Sequence, residues 1–213
     1  MKVQLISYTK SEEHATIQDL VAYCARVSNP SNQNNTETNE KLIRYLIKNQ
    51  HWSPLEMVSI CLEIETTRDI ARQILRHRSF SFQEFSQRYA IADLGNELKE
   101  ARQQDKKNRQ NSIETDDTVL KAMWEEQQQH IIEQTNAAYK WAIDNGIAKE
   151  QARAVLPEGL TLSRLYMNGT LRSWVHYIQL RSGNGTQKEH RDVAMACAKA
   201  IQTIFPMIDE FIV

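Results

Sequence analysis

The chain has 213 residues, of which 26 are lysine or arginine and 27 are aspartate or glutamate, so its formal net charge is -1 at pH 7. This length suits one well-buried core, and the near-zero charge argues against a protein whose whole surface binds nucleic acid. The three cysteines, Cys24, Cys61 and Cys197, are odd in number and lie among apolar neighbours. That pattern favours reduced core thiols over a disulfide or zinc framework.

The first half of the chain predicts one strand and two amphipathic helices. Residues 2–8 alternate in the manner of a strand, and residues 15–27 carry apolar side chains three or four apart, as a helix does. Asparagine, serine and threonine crowd residues 28–36, which predicts a loop. A second amphipathic helix is expected over residues 38–49.

The middle of the chain contains a strand, two helices and a polar insertion. Residues 57–66 are β-branched and alternating, which predicts a strand, and a helix is expected from residue 67 to about 76. Residues 97–117 are highly charged and almost free of large apolar groups, which indicates a surface excursion. One long helix is predicted over residues 119–145, ended by Asn145-Gly146.

The last third predicts three more helices and one ambiguous segment. A short helix over 148–156 ends at Pro157, whereas residues 160–167 fit either a strand or a helical face. Helices are expected over 171–180 and 186–205. The pattern as a whole predicts an α+β fold, a helix-rich single domain over 1–213 with a small, largely antiparallel sheet.

No long apolar run appears at the start, MKVQLISYTK, or later, where no segment approaches about 18 apolar residues. We therefore expect a cytoplasmic protein without a membrane partner. Neither a phosphate-binding P-loop nor a glycine-rich dinucleotide fingerprint occurs. His51 and His190 lack metal-ligand spacing, so we expect ordinary solvent or core histidines and no metal site.

The segment RHRSFSFQEFSQR, residues 76–88, concentrates cations, hydroxyls and carboxylates beside phenylalanines. Packing so many charges near aromatic groups is costly unless an anion neutralises them, and the planar fork of arginine suits phosphate. The segment therefore predicts a phosphate site. For the RHR triplet alone, a solvated basic helix end is the stronger interpretation.

Residues around this segment add further candidate groups. Helical spacing places Gln73 beside Arg76 and His77, where its amide can read a pyrimidine-like imide edge. In an extended chain, Glu84, Ser86 and Arg88 would share one face. Ser86 as a nucleophile would need a base, and His77 is the only local candidate.

Two other places carry unusual cations. Arg172 and His176 lie four apart on one predicted helix face, although an ordinary amphipathic helix also explains them. Arg153 is flanked by apolar residues in QARAVLP, where a structural ion pair and a ligand contact are equally acceptable explanations.

Two functions outside enzymology remain open from the residues alone. The arginines of the segment with its phenylalanines as stacking platforms would suit a single-stranded nucleic-acid binding module, although the net charge opposes it. A purely structural helical oligomer is the other alternative.

The segment RHRSFSFQEFSQRY resembles the signature of the flavin-dependent thymidylate synthases, in which RHR is followed by seven residues and a serine. The motifs HWSPLE, ARAVLP, NGTLRSWVHYIQLR and GTQKEH resemble further blocks of that family in the same order. The resemblance covers most of the chain except residues 97–117.

The resemblance implies reductive methylation of dUMP to dTMP in de novo dTMP biosynthesis. Methylenetetrahydrofolate would give the carbon, NADPH the reducing equivalents, and non-covalent FAD would carry the hydride. It also implies a homotetramer with active sites between subunits, and no nucleic-acid partner.

The resemblance also implies roles for individual residues. Arg181 would stabilise the ionised uracil ring and Ser86 would position the substrate. FAD would contact Ser53, Arg76, His77, Arg78, Glu84, Thr170, Leu171, Arg172 and His176. The nucleotide would contact Gln73, Arg76, Glu84, Phe85, Ser86, Gln87, Arg88, Arg153 and Arg181. The chain departs from the family pattern at Ser53, where others carry threonine, and at Gly185, where some carry histidine.

Overall fold

A computed structural model describes residues 1–212 of the chain and contains six strands and seven α-helices in that range. The strands are β1 (Lys2–Tyr8), β2 (Ser59–Thr67), β3 (Ser81–Glu84), β4 (Arg102–Gln104), β5 (Ser112–Glu114) and β6 (Leu162–Thr170). The helices are α1 (Ile17–Ala25), α2 (Asn39–Lys48), α3 (Arg68–Ile74), α4 (Thr118–Asp144), α5 (Lys149–Ala152), α6 (Leu171–Ser182) and α7 (Lys188–Gln202). Short 3₁₀ turns occur at Pro30–Asn32, Ser53–Met57, Arg153–Val155 and Pro206–Phe211.

Four strands form one antiparallel sheet in the order β1-β2-β6-β3, which confirms the predicted small antiparallel sheet in a helix-rich fold. Strand β6 occupies the segment that the sequence left between strand and helix. It pairs with β2 without interruption from Ser59 opposite Thr170 to Thr67 opposite Leu162. This continuous pairing with two neighbours decides in favour of the strand, because β6 gains a ladder partner on each edge.

The main core lies between the sheet and the last two long helices. Side chains of α6 and α7, including Trp174, Tyr177 and Ile201, are almost fully buried against the alternating apolar residues of β2. Burying a side chain of this size contributes about 1.5–3 kcal/mol. The indole N–H of Trp174 donates to the backbone oxygen of Ile60 over 3.0 Å, so α6 is fixed on the sheet by a polar contact as well.

The predicted surface excursion, residues 97–117, is a folded arm. Strands β4 and β5 form an antiparallel hairpin with an exposed tip. At its base, Lys99 Nζ donates to Thr67 Oγ1 over 2.7 Å, and Arg102 pairs with Glu189 at the start of α7. Charges of this segment, which the sequence predicts to be a surface excursion, thus hold the hairpin to the sheet and to α7.

The long helix α4 covers little of the core. Only Gln128, Tyr139 and Ala142 are buried along its 27 residues. Large apolar side chains remain exposed on it: Val119, Leu120, Met123, Trp124, Ile131 and Trp141. No helix within residues 1–212 is long and apolar enough to span a membrane.

Candidate functional site

The RHR triplet follows the end of α3. The helix ends at Ile74, two residues earlier than the sequence predicts, and turns carry the backbone through His77, whose oxygen accepts from the N–H of Phe80. Arg76 and Arg78 are exposed, while His77 is half-buried. Within residues 1–212 neither arginine has an ion-pair or hydrogen-bond partner for its side chain. Both guanidinium groups are therefore available to an anion.

His77 lies in an aromatic cluster formed with α6 and α7. Its ring meets the Tyr177 ring edge-on with centroids 4.9 Å apart, and the His190 ring lies 6.2 Å away. Arg181 Nε donates to His77 Nε2 over 3.0 Å. Burial, followed by the charges of Arg181 and Arg76, lowers the pKa of His77 to about 4. Because arginine only donates, His77 is a neutral acceptor at pH 7 with its proton on Nδ1.

Gln73 is held from two sides at the end of α3. Its Oε1 lies 3.1 Å from Nδ1 of His190, and its Nε2 donates to Oε1 of Gln187 over 2.7 Å. Nε2 of His190 lies 3.2 Å from the hydroxyl of Tyr177. His190 is fully buried, as a core histidine, and its ring is joined directly to a candidate substrate residue.

Glu84, at the end of β3, is engaged inside the protein. Its Oε1 accepts from the Ser163 hydroxyl over 2.8 Å and lies 3.7 Å from a guanidinium nitrogen of Arg68, while its Oε2 accepts from Arg72 over 3.2 Å. The predicted row of Glu84, Ser86 and Arg88 on one face is wrong. The strand ends at Glu84, and the chain then turns so that the N–H groups of residues 89 and 90 approach the backbone oxygen of Ser86.

The start of α6 meets the 3₁₀ turn that contains Ser53. Arg172 forms an ion pair with Glu56, and the His176 ring meets the Trp52 ring edge-on with centroids 4.4 Å apart. The predicted neighbours Arg172 and His176 are thus brought together against one segment. Burial, then the charge of Arg172, lowers the pKa of His176.

Two other candidate residues of this region have structural partners. The Thr170 hydroxyl accepts from the Ser173 N–H over 3.3 Å and caps α6. The Leu171 side chain is fully buried and its N–H donates to Val58, so its side chain is not available to a ligand. Ser53 is exposed at the start of its turn.

The remaining substrate candidates form a separate group after β3 and at α5. Arg88 approaches Glu150 at 3.6 Å, and Arg153 Nε donates to the backbone oxygen of Glu150 over 3.4 Å. Within residues 1–212, no hydrogen bond or ion pair joins this group to His77 or Arg181. The structural ion pair weighed for Arg153 is absent from the described residues.

Gln87 carries the most direct sign of a missing partner. Its side chain is 3% exposed, and its Nε2 has no hydrogen-bond partner in the described residues. Buried amides are nearly always satisfied, so an orphaned one calls for a ligand, a water or a neighbouring chain. Phe85 beside it is half-buried, and Ser86 is exposed with its hydroxyl unpaired within residues 1–212.

The structure bears on the alternatives raised by the sequence. Phe80 is buried against Trp174 and Tyr177, and Phe82 packs on the same core, so these rings are not exposed stacking platforms for nucleic acid. His77 is not placed as a base for Ser86, because Nε2, its unprotonated nitrogen, already accepts from Arg181. Within residues 1–212 no group of three or more metal-binding side chains occurs.

Two parts of the site were missed from the sequence. Arg68 is 6% exposed and lies between Glu84 and Glu158. A charged residue at the join of an apolar strand and helix is a usable signal for such a buried pair. Tyr177, which links His77 to His190, gives no signal because it reads as an ordinary apolar position of α6.

Known proteins of one family match almost the whole chain. The family model described as thymidylate synthase complementing protein matches residues 4–207. A probable flavin-dependent thymidylate synthase of Paramecium bursaria Chlorella virus 1 is 48% identical over 210 residues, covering 98% of this chain and 97% of that protein. A flavin-dependent thymidylate synthase of Synechocystis is 48% identical over 213 residues, with the same coverage.

A solved structure has the same overall architecture. The UMP/dUMP methylase PolB from Streptomyces cacaoi, bound with 5-Br UMP, superposes with a TM-score of 0.83 at 26% identity, covering 99% of this chain and 92% of that one. PolB bound with 5-Br dUMP gives a TM-score of 0.80 over 99% and 93% of the two chains. With the family model and the two close relatives, these findings show that the chain belongs to the flavin-dependent thymidylate synthase family.

Proposed function

We propose that the protein converts dUMP to dTMP, with methylenetetrahydrofolate as carbon donor, NADPH as reductant and non-covalent FAD as the flavin. The observation that carries the proposal is the contact between Arg181 and His77, which fixes a cation beside the unpaired Arg76 and Arg78. This is an arrangement for two anions, a dinucleotide pyrophosphate and a nucleotide phosphate, with one further cation for the ring.

The residues fit a flavin dinucleotide. Arg76 and Arg78 present unpaired, exposed guanidinium groups. The second candidate group for a phosphate is the N-terminus of α6, which Thr170 caps. Helix N-termini and arginines together bind phosphates without a glycine-rich loop. Arg78, His77 and the Trp52-His176 pair would hold the cofactor, which supplies the hydride chemistry that no side chain can perform.

Arg181 activates the substrate through its fixed position. One of its donors, Nε, is used by His77, so its terminal amino groups remain for the uracil ring. His77 stays neutral at pH 7 and so adds no competing positive charge of its own. A preorganised cation stabilises negative charge that develops on the ring and needs no reorganisation during the reaction.

Ser86 positions the nucleotide in this proposal and is not a nucleophile. Its only local base candidate, His77, has a pKa of about 4 and a nitrogen already occupied by Arg181. A serine without an adjacent base is a weak nucleophile. Its exposed hydroxyl, beside the orphaned amide of Gln87, suits hydrogen bonds to the substrate phosphate or sugar.

The nucleotide site is completed between subunits of a homotetramer. Its residues fall into one group with Gln73, Arg76 and Arg181 and a second with Arg88 and Arg153, and the described contacts do not join them. The exposed apolar side chains of α4 support association, because monomers rarely leave so many on one helix in water. Each site would take one group from each of two copies.

The absorption spectrum tests the flavin part of the proposal. We expect yellow purified protein with the FAD spectrum, bleached anaerobically by NADPH, and dTMP formed from dUMP only when methylenetetrahydrofolate is present. Colourless protein that FAD cannot reconstitute would refute the proposal.

Complementation tests the shared site. Arg181→Ala and Arg153→Ala should each be inactive when expressed alone. Co-expression of the two variants should restore about a quarter of wild-type activity, because random mixing of subunits gives about a quarter of the sites two intact halves. Arg181→Ala with Gln73→Ala, which lie in the same half, is the matched control and should not complement. Recovery in the control pair, or none in the test pair, would contradict a site shared between copies.

A further inference from the structure

A chain of hydrogen bonds runs from the core to the hairpin through Gln73. The hydroxyl of Tyr177 lies 3.2 Å from His190 Nε2, and His190 Nδ1 lies 3.1 Å from Gln73 Oε1. Gln73 Nε2 donates to Gln187 Oε1 over 2.7 Å, and Gln187 Nε2 donates to Glu189 Oε2 over 2.9 Å. Three of these five side chains are Gln73, Gln187 and His190. A half-turn of the amide or the ring would exchange donor and acceptor atoms in each of them without changing the shape of the side chain.

The carboxylate at one end removes that freedom. Glu189 pairs with Arg102 of the hairpin. Although burial raises the pKa of Glu189, its own backbone N–H, the Gln187 amide, Arg102 and Lys99 lower it overall, so Glu189 is ionised at pH 7. An ionised carboxylate only accepts, so Gln187 must direct its N–H₂ group toward it.

Each later bond follows from the one before. Gln187 presents its oxygen to Gln73, so Gln73 must present N–H₂ there and its own oxygen to His190. His190 must then carry its proton on Nδ1, and its bare Nε2 accepts from the hydroxyl of Tyr177. Reversing any member would bring two acceptors or two donors together, which is most costly at the buried contact between His190 and Tyr177.

We propose that Glu189, held by Arg102, acts as a positioning residue that fixes the amide of Gln73 in one orientation through Gln187. The inference rests on the proposed function, in which Gln73 contacts the nucleotide. The free N–H of Gln73 and the free lone pair of its oxygen then occupy set places. They match the acceptor and donor order of a uracil imide edge and oppose that of cytosine. The folded arm over residues 97–117, which contains Arg102, thereby contributes to substrate recognition from outside the site.

The tautomer of His190 is the direct measure of this polarity. In the flavin-loaded enzyme labelled with ¹⁵N-histidine, we expect His190 with a protonated Nδ1 and an unprotonated Nε2, assigned by loss of its signals in His190→Asn. Glu189→Gln keeps the shape but lets position 189 donate, so the chain can reverse and the Nε2–H form of His190 should appear. His77 is an internal reference, because Arg181 fixes its tautomer independently.

Two further variants separate this effect from a loss of folding. Gln187→Leu cuts the chain at an exposed position and should also release the tautomer of His190. Glu100→Gln is the matched control, because Glu100 pairs with Lys188 and lies outside the chain of bonds, so the Nδ1–H form should persist. An unchanged His190 tautomer in both Glu189→Gln and Gln187→Leu would overturn the proposal.

Kinetics tests the consequence for the substrate. In Glu189→Gln we expect the KM for dUMP to rise about tenfold with kcat nearly unchanged, and dCMP to compete better than with wild type. A released tautomer with unchanged KM and selectivity would overturn the positioning role. If the wild type makes no dTMP, the proposed function fails, while the tautomer measurement still decides whether Glu189 sets the direction of the bonds.

Discussion

Arg181 Nε donates to His77 Nε2 over 3.0 Å and joins two residues 104 positions apart in the sequence. The contact orients a guanidinium group that would otherwise sample many rotamers on a half-exposed helix face. It also requires His77 to be neutral, which burial and the neighbouring arginines maintain. One hydrogen bond thus couples the RHR segment to the last turn of α6.

Arg181→Ala should abolish dTMP synthesis while FAD stays bound, because in the proposed function this cation acts on the nucleotide ring. Arg181→Lys keeps the charge but loses the planar fork that reaches His77 and the ring together, so we expect kcat to fall about 100-fold or more. Turnover assays with the flavin content measured from absorbance check both variants. Normal turnover by Arg181→Ala would contradict the activation role.

Arg76→Ala should weaken the binding of FAD and of dUMP together, because in the proposed function its unpaired charge serves both anions. We expect both dissociation constants to rise about tenfold, measured by fluorescence titration of flavin and nucleotide. Arg44→Ala is a suitable control, since Arg44 is an exposed arginine paired with Glu40 and Glu210. Unchanged constants for Arg76→Ala would refute the shared role.

Glu84→Gln should lower the stability of the protein more than it weakens flavin binding. The change neutralises one of the two carboxylates that face Arg68, which is 6% exposed and keeps Glu158 at 3.3 Å, so we expect a loss of about 1–3 kcal/mol. Glu158→Gln removes a more exposed partner of the same arginine and should cost much less. Equal thermal shifts for the two variants would show that Glu84 is not the main counter-charge.

Gly169→Ala should displace Phe80 and with it the turn that follows the RHR triplet. A Cβ at position 169 would lie 2.4 Å from Cδ1 and 2.6 Å from Cε1 of the Phe80 ring. Overpacking of this kind costs about 1–3 kcal/mol. In a Phe80→Leu background the same change should cost less, which a double-mutant cycle by denaturant unfolding measures. Equal costs in both backgrounds would place the strain elsewhere.

Stability should fall as the pH is lowered from about 6.5 toward 4. Burial, then Arg181 and His77, lowers the pKa of His190 to about 3, and the pKa of His77 is about 4. The unfolded chain therefore takes up protons below about pH 6.5 that the folded chain refuses until pH 4 or lower, so acid favours unfolding in this window.

His190→Asn isolates one contribution to this dependence. The wild type should lose about 2 kcal/mol more than the variant between pH 7.5 and 4.5, while the two curves run parallel between pH 7.5 and 8.5. Chemical denaturation at fixed protein and FAD concentration gives the comparison. Parallel curves over the whole range would show that His190 is not held neutral by the fold.

Local patterns determined much of the architecture. The periodicity of α1, α2, α4 and α7 and the alternation of β1 and β2 were sufficient for their prediction, because each period is a local property of the sequence. Local patterns were not sufficient for β6, whose apolar spacing fits both a strand and a helix. The pairing of this segment with β2 and β3 decided in favour of the strand.

The sequence by itself determined the family and supplied the candidate residues of the site, because the RHR segment and its companion motifs are chemically specific and fixed in spacing. Only the tertiary structure decided which cations are free. Arg68 is paired with Glu158 and Arg172 with Glu56, both far away in the chain. Arg76 and Arg78, in contrast, are unpaired within residues 1–212. The physical reason is that a charge is neutralised, a pKa lowered or an amide oriented by whatever lies within a few ångströms, and those neighbours are set by folding rather than by order along the chain.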